Sequence, residues 1–487
     1  MIQENPADIV LAAINAKWIH PSLALRLLKA NLGSLEDRCQ ILEFALRQRE
    51  EEKINPILAA RPRILGFSVS IWNHRAAKDL LKVLHNTWQK TDIPRPWVIL
   101  GGPEVSWLPK EAEIFQYADY VIRLEGETAF RELCEDLLDP KTRINPGSAA
   151  VQFITPPLPD LVNLKTAYDL YTREDLESRL IYAESSRGCA FNCDFCLSSL
   201  ENNPREFPLK PFLKDMEKLL QRCFTPDREN RRPLTIKFLD RSFNLNPERA
   251  AEILDFFLFY IEKGFPLCIH IEMVPLLHPV LQKVLCRFPP GSLRVELGIQ
   301  TLNPEVSALI HRTGTADQCL KAAAFFREET EALVHADLIA GLPGEDIHSF
   351  GSGFDRLWMT MTSYDPSPAD KISKLEIQLG ILKLLPGAPM ARHTQSHNMI
   401  YAQEPPYEIL ETSRIPAEEM DRIKNFARFW ELIVNRNNFP EEAFRIAPPG
   451  KPVFQRFMDI SDRLLERFQK NWGIDREELR QALQELN

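Results

Sequence analysis

The chain has 487 residues, with 59 Lys and Arg against 68 Asp and Glu and a formal net charge of −9. That length implies two or three domains with sizeable cores, and mild acidity with scattered basic residues argues against a nucleic-acid partner. Met1 to Pro6 has no basic region leading into an apolar run, and the most apolar window, Leu254 to Ile261, is far too short to span a bilayer. Neither a signal peptide nor a membrane span is expected. Nine cysteines, an odd number without framework spacing, suit a reduced, cytoplasmic setting.

Residues 1–150 alternate short apolar strands with amphipathic helices. Ile9 to Ile14 reads as a strand, and Ser22 to Leu32 as a helix with Leu23, Leu27 and Ala30 on one face. Strands follow at Ile41 to Ala45 and Ile64 to Val69, then a helix over Ala76 to Trp88. Trp97 to Leu100 runs into Gly101-Gly102-Pro103-Glu104. Tyr120 to Leu124 runs into Glu125-Gly126-Glu127-Thr128, where a helix opens with acids in its first turn. Five strands of this kind predict a parallel sheet covered on both faces, with ligands beyond the carboxyl ends of the strands. The Gly101-Gly102 pair serves either close backbone approach or an ordinary turn. Residues 151–178 read as a linker.

After a short strand ending near Ser185 comes Arg187-Gly188-Cys189-Ala190-Phe191-Asn192-Cys193-Asp194-Phe195-Cys196. A cubane iron–sulfur cluster normally takes four thiolates. Three on one loop leave one iron without a protein ligand, and an open coordination position is where metal chemistry occurs. The rival reading is zinc, which needs a fourth ligand. No histidine is near, and the next cysteine, Cys223, is distant. Asp227 to Arg232 mixes bases with acids and reads as a solvated loop.

From residue 179 to 395, six strands alternate with helices: Leu180 to Glu184, Thr235 to Leu239, Cys268 to Glu272, Arg294 to Ile299, His335 to Ile339 and Leu375 to Leu379. Polar residues stand at or beyond strand ends, as a parallel barrel requires of a functional site. They are Asp240, Arg241, Glu272 and Gln300, with Asp337 inside the fifth strand. Met390, Arg392, His393 and His397 follow the sixth strand and take no assigned role. In residues 396–487, Phe426, Phe429, Trp430 and Ile433 recur at helical spacing, as do Phe457, Ile460, Leu464 and Phe468, which predicts a helical domain with an aromatic core. Asp475 with Glu478 resembles a capping pair before a last short helix.

The C-x3-C-x-aromatic-C loop resembles the cluster loop of the radical S-adenosylmethionine (SAM) superfamily. That resemblance implies a [4Fe-4S] cluster on Cys189, Cys193 and Cys196, SAM chelated by the open iron, and Phe195 near the adenine. Ile271-Glu272-Met273, Gly298-Ile299-Gln300, His311-Arg312 and Ala336-Asp337-Leu338-Ile339-Ala340-Gly341-Leu342-Pro343-Gly344 resemble stretches of oxygen-independent coproporphyrinogen oxidase and its relatives. By that likeness Glu272 contacts SAM, Gln300 and Asp337 bind its ribose side, and Arg312 meets its carboxylate. The family's glycine-rich motif is replaced by Asp240-Arg241, so these two are doubtful ligands.

Placed before such a loop, the first domain resembles the flavodoxin-like, Rossmann-type cobalamin-binding module of B12-dependent radical SAM proteins. Its matching stretches include Asn15, Ser68, Ser70, Asn73, Gly101, Gly102 and Glu104, which the resemblance makes cobalamin contacts. The D-x-H-x-x-G signature of classical B12 methyltransferases is absent, and His20 and His74 read as loop histidines. The implied architecture is a B12-binding-like domain (1–150), a linker (151–178), a partial (β/α)6 TIM-like radical SAM core (179–395) and a helical C-terminal domain (396–487) of unknown function. The implied chemistry is SAM cleavage to a 5′-deoxyadenosyl radical, with methyl transfer to a small-molecule substrate through methylcobalamin and an electron donor such as flavodoxin or ferredoxin. The alternatives are a radical SAM oxidoreductase or cyclase without functional B12 and a non-catalytic metal-binding scaffold. Methylthiotransfer fits less well, because only Cys39 and Cys134 lie in the N-terminal region.

Overall fold

The computed structural model describes residues 7–142, 145–201, 203–224, 232–362 and 375–486. The opening residues Met1 to Pro6 and all but Arg232 of the Asp227 to Arg232 loop lie outside them. The chain divides into two compact units: Met1–Ser185 with Glu206–Leu234, and Ser186–Arg205 with Thr235–Asn487.

The first unit holds a parallel sheet of β1 (Ile9–Asn15), β2 (Cys39–Ala45), β3 (Ile64–Ser68), β4 (Trp97–Gly101), β5 (Tyr120–Ile122) and β6 (Gln152–Ile154). Their spatial order is 2-1-3-4-5-6, the flavodoxin-like order with one strand added. Every residue of β1 is buried, because its alternate side chains feed two different cores. Val10, Ala12 and Ile14 pack with Ile57 of α2 (Glu50–Ala60) and with Leu80, Leu81 and Leu84 of α3 (His74–Lys90). Ile9, Leu11 and Ala13 pack with Leu25 and Phe130, from helices Leu23–Ala30 and Glu127–Leu138. Ser22 caps the first of these helices by accepting from the Leu25 N–H.

Two expectations change here. The sheet has six strands, because Gln152–Ile154, assigned to the linker, pairs with β5. The Phe153 ring packs edge-on against Phe115, 5.1 Å between centroids. The remaining linker is also anchored. Arg26 reaches Glu43 and Asp175 at 2.9 Å, and Arg179 reaches the same two carboxylates at 2.8 and 2.9 Å, with all four side chains at most 5% exposed. A short strand, β7 (Ile181–Ala183), belongs to this unit.

The second unit contains a short pair, β8 (Ser186–Arg187) and β9 (Arg205–Glu206), followed by β10 (Leu234–Phe238), β11 (Leu267–Met273), β12 (Leu293–Gln300), β13 (Leu333–Ala340) and β14 (Leu375–Ile381). The last five lie in the order β14-β13-β12-β11-β10, with β11 to β14 parallel, and the sheet they belong to has six strands as expected. In β12 and β13, buried apolar positions alternate with half-buried polar ones. Val295, Leu297, Val334 and Ala336 fill the core, while Glu296, His335 and Asp337 take the opposite face.

The C-terminal residues form helices Ala417–Trp430, Pro440–Ile446, Phe454–Phe468 and Arg476–Glu485. A small antiparallel pair, Ile400–Tyr401 with Ile409–Glu411, precedes them, so this region is not purely helical. The aromatic stripe is core: Phe426, Phe429, Trp430 and Phe457 are buried. Trp430 meets Phe354 and Trp358 of helix Ile347–Thr362 at 4.8 and 5.1 Å. Gly351 lets Phe454 close against the same helix, since a Cβ there would lie 2.4 Å from the Phe454 ring. Asp475 caps the last helix, accepting from the Glu477 and Glu478 N–H groups. Among the described residues no helix is long and apolar enough to cross a membrane.

Candidate active site

The three cysteines sit where the chain turns sharply. Gly188 has φ of +79°, and a Cβ there would lie 2.9 Å from the Asn203 carbonyl oxygen, so only glycine fits before Cys189. The Cys196 N–H donates to the Cys193 carbonyl, closing the loop on itself. All three cysteines line one open cavity with Phe191, Phe195, Arg241, Glu272, Met273, Val274, Glu296, Gly298, Gln300, Arg312 and Asp337. Every sequence-assigned SAM contact is in that wall. Three thiols beside a mixed polar and apolar lining suit a cluster together with a small polar ligand. Among the described residues, no three His, Cys, Asp or Glu side chains are arranged to hold a single metal ion.

Strand alternation explains the convergence. Glu272 on β11, Glu296, Gly298 and Gln300 on β12, and Asp337 on β13 occupy same-face positions, with Glu272 paired to Glu296 and Gly298 to Asp337 in register. A bulge shifts the register between Gly298 and Gln300, and Gln300 adopts φ of +72°, a left-handed conformation rare for a non-glycine residue. A Cβ at residue 298 would fall 2.9 Å from Gln300 Nε2, so Gly298 leaves the Gln300 amide room to lie against the wall.

The electrostatics separate the three carboxyl groups. Burial pushes Asp337 up to about 7, with Glu296 adding to the rise and His335 opposing it. Burial likewise raises Glu272, while Arg241, 3.6 Å away, pulls it back. Burial also acts upward on Glu296, but His270 and Lys237 outweigh it and bring Glu296 down to about 2. Lys237 Nζ lies 2.7 Å from Glu296 and His270 Nε2 lies 2.9 Å from it. One wall thus carries an ionised carboxylate beside a protonatable one, which suits polar recognition of hydroxyl and amino groups. Glu296, Phe191 and Val274 were missed by the sequence reading. For Glu296 the signal existed: it stands two and four residues before Gly298 and Gln300, on the same strand face.

Arg312 is not free in the cavity. Its Nη1 lies 3.6 Å from Cys193 Sγ, and its Nη2 donates to the Gly298 carbonyl. Asp240, doubtful as a ligand, is buried and accepts from Ser186 Oγ at 2.7 Å. Arg241 is half-exposed at the rim.

In the first unit, the sequence-assigned cobalamin contacts gather at the carboxyl ends of β1, β3 and β4, beside the point where the strand order reverses. Their side chains brace the loops. Asn73 Nδ2 donates to the Ile14 and Ser68 carbonyls, and its Oδ1 accepts from the Ser70 N–H. Asn15 Nδ2 donates to Glu43 at 3.0 Å. Glu104 is buried with its Oε1 2.8 Å from His74 Nδ1, and His20 Nδ1 lies 2.8 Å from the Tyr182 hydroxyl. Both loop histidines therefore have partners inside the unit. Gly102 has φ of +109°, and a Cβ there would be 2.5 Å from the Val69 carbonyl oxygen, whereas Gly101 has ordinary space. Of the two readings of the glycine pair, close approach holds for Gly102.

Three family models match in chain order: B12 binding domain over residues 9–134, radical SAM superfamily over 184–356, and a protein of unknown function, DUF4080, over 395–479. The chain carries a B12-binding domain followed by a radical SAM domain. Among curated relatives, it is 27% identical over 209 residues to an uncharacterized methyltransferase of Pyrococcus horikoshii, covering 39% of the chain and 42% of the relative. It is 30% identical over 155 residues to the cobalamin-dependent radical SAM methyltransferase TokK of Streptomyces tokunonensis, covering 28% and 22%. The matches thus span less than half the length of these relatives. Among solved structures, the fold resembles the radical SAM methyltransferase TsrM of Kitasatospora setae (TM-score 0.58, 18% identity, 85% of this chain and 82% of that one). It also resembles the cobalamin-dependent SAM radical enzyme OxsB (TM-score 0.65, 12% identity, 98% and 78%).

Proposed function

We propose that this chain is a cobalamin-dependent radical SAM enzyme that transfers a methyl group to a small-molecule substrate. The observation that carries the proposal is the single cavity in which Cys189, Cys193 and Cys196 face Phe195, Glu272, Gln300, Arg312 and Asp337. Cys189, Cys193 and Cys196 would hold a [4Fe-4S] cluster, which would supply an electron, received from an external reductant, for the reductive cleavage of SAM, and the first unit would hold cobalamin, which would supply a methyl carrier. The curated relatives named as methyltransferases support this reading.

The protein's own task is to bind, orient and exclude water. The three thiolates hold the cluster. Phe195 offers an apolar face to the adenine, and the bulged Gln300 and the protonatable Asp337 offer hydrogen bonds to the ribose. Glu272 suits the amino group, with Arg241 beside it. Arg312 joins the loop to the cavity wall; burial pushes the Cys193 thiol up, and the Arg312 charge beside it opposes that rise. In the first unit, Asn73 and Glu104 shape the loops at the carboxyl end of the sheet, and Gly102, freed of a side chain, lets its loop pack directly on the Val69 backbone, which sets the surface on which a corrin would lie. The functional division follows as a B12 module in 1–150, a radical SAM core in 179–395 and a C-terminal cover in 396–487. A flavodoxin- or ferredoxin-type donor and a reduced cytoplasm match the needs of an oxygen-sensitive cluster.

The test is anaerobic incubation of the reconstituted full chain with SAM, reductant and hydroxocobalamin. 5′-Deoxyadenosine should form with wild type and not with Cys196→Ala, and cobalamin should stay with the protein through gel filtration. Equal 5′-deoxyadenosine from Cys196→Ala would remove the cluster assignment. Release of cobalamin with 5′-deoxyadenosine still forming would favour the radical SAM enzyme without B12.

A further inference from the structure

Asp194, between the second and third cysteines, uses every polar atom it has. It is 1% exposed. Its N–H donates to the Ile310 carbonyl at 3.1 Å, and its own carbonyl accepts from the Met390 N–H at 2.9 Å. One carboxylate oxygen lies 3.3 Å from His311 Nδ1; the other lies 2.6 Å from His393 Nε2 and accepts from Arg392. One residue thus ties the cysteine loop to two remote segments, the end of helix Pro304–Leu309 after β12 and the short turn Pro389–His393 that follows β14.

The partners are unequal. The His311 and Arg392 side chains are 54% and 48% exposed, so water and salt weaken their contribution. The His393 side chain is 8% exposed and meets Asp194 away from solvent, where a short hydrogen bond to a carboxylate is strongest. His393 is itself held. Its carbonyl accepts from the His397 N–H and from Ser396 Oγ, and the His397 carbonyl accepts from the Ser413 N–H beyond Ile409–Glu411. A continuous hydrogen-bonded path therefore runs from the C-terminal region to the residue beside two cysteines.

We propose that Asp194 and His393 form a positioning pair that holds the three-cysteine loop in cluster-accepting geometry before iron arrives, so that the segment after the last strand sets how firmly the cluster is retained. This deepens the reading of the loop as a cluster site and rests on it. Neither residue is a ligand. They act through Cys193 and Cys196, whose backbone would otherwise lose freedom only on metal uptake, weakening it. Outer partners of metal ligands commonly change metal retention by one to two orders of magnitude.

The experiment uses the full chain in three arms. With the iron-free wild type, amide exchange at Asp194 and Met390 should be slow; unprotected rates at both would overturn the pair without any variant. With reconstituted Asp194→Asn and His393→Gln, iron loss to a chelator should speed up roughly tenfold, the cluster midpoint potential should shift, and the double variant should be no worse than the more affected single one. Arg392→Ala should change both readouts less. Wild-type iron loss and potential in both single variants, or effects that add in the double, would overturn the proposal. Cobalamin retention by the first unit and far-ultraviolet circular dichroism report folding, and a misfolded variant leaves the exchange arm to decide. If wild type takes up no cluster at all, the functional reading fails, and the exchange arm still tests the pair separately.

Discussion

The Arg312 guanidinium lies 3.6 Å from the Cys193 sulfur while its other arm donates to the Gly298 carbonyl, so one planar fork joins the cysteine loop to the cavity wall. A lysine keeps the charge and loses the fork. Arg312→Lys should retain iron per chain and bind SAM roughly tenfold more weakly, the loss of one charge-assisted hydrogen bond of about 1.5 kcal/mol. Equilibrium dialysis with SAM checks it. Unchanged affinity would show that the loop and Gly298 occupy Arg312 fully and that SAM's carboxylate lies elsewhere.

Asp337 links the cavity to pH. Its folded value is raised from 3.8 to about 7 by burial and then by Glu296. A raised carboxyl favours the folded state while protonated, so its contribution is complete below about pH 4 and lost as pH rises towards 7. Relative to Asp337→Asn, which mimics the protonated acid, wild type should lose at most about 4 kcal/mol between pH 4 and pH 8. Urea unfolding of both proteins at several pH values measures the difference, and a flat difference would contradict the burial argument.

At the carboxyl end of β4 the two adjacent glycines should behave differently. Alanine at 102 meets the Val69 carbonyl at 2.5 Å in a left-handed conformation, whereas alanine at 101 meets the Ile122 carbonyl oxygen at an ordinary 3.6 Å. Gly102→Ala should cost about 2–3 kcal/mol and abolish cobalamin retention. Gly101→Ala should stay within about 1 kcal/mol of wild type. Thermal melts with and without hydroxocobalamin distinguish the two.

The buried Arg26, Glu43, Asp175 and Arg179 network predicts acid sensitivity of the first unit. Burial opposes ionisation of Glu43 and Asp175, but the two arginines prevail and hold both below their ordinary values of 4.5 and 3.8. That stabilisation is present above the unfolded values and disappears as pH falls through the lowered ones. Arg26→Met leaves two buried carboxylates sharing the single charge of Arg179 and should cost about 3–5 kcal/mol at neutral pH, with a smaller penalty at pH 3. A melting temperature unchanged at pH 7 would refute it.

Spacing along the chain determined much of this protein. Cys189, Cys193 and Cys196 fall within eight residues, so covalent geometry alone brings them to one loop, and the unbroken apolar runs of β1, β3 and β4 dictate a sheet buried on both faces. Glu272, Gln300 and Asp337 were legible from their places at or within the strands and from the family resemblance, and strand periodicity puts them on one face.

Packing decided the rest. Asp194 and His393 are 199 residues apart, and Arg26 and Asp175 are 149 apart. Nothing local marks either pair, because their contact exists only once distant segments have folded together and water has been removed. The pairing of Gln152–Ile154 with β5, the capture of Arg312 by a cysteine sulfur, and the use of Asn73 and Glu104 as loop braces have the same origin. A polar side chain in a motif can satisfy itself inside the protein or reach towards a ligand, and the choice belongs to the three-dimensional arrangement of its neighbours.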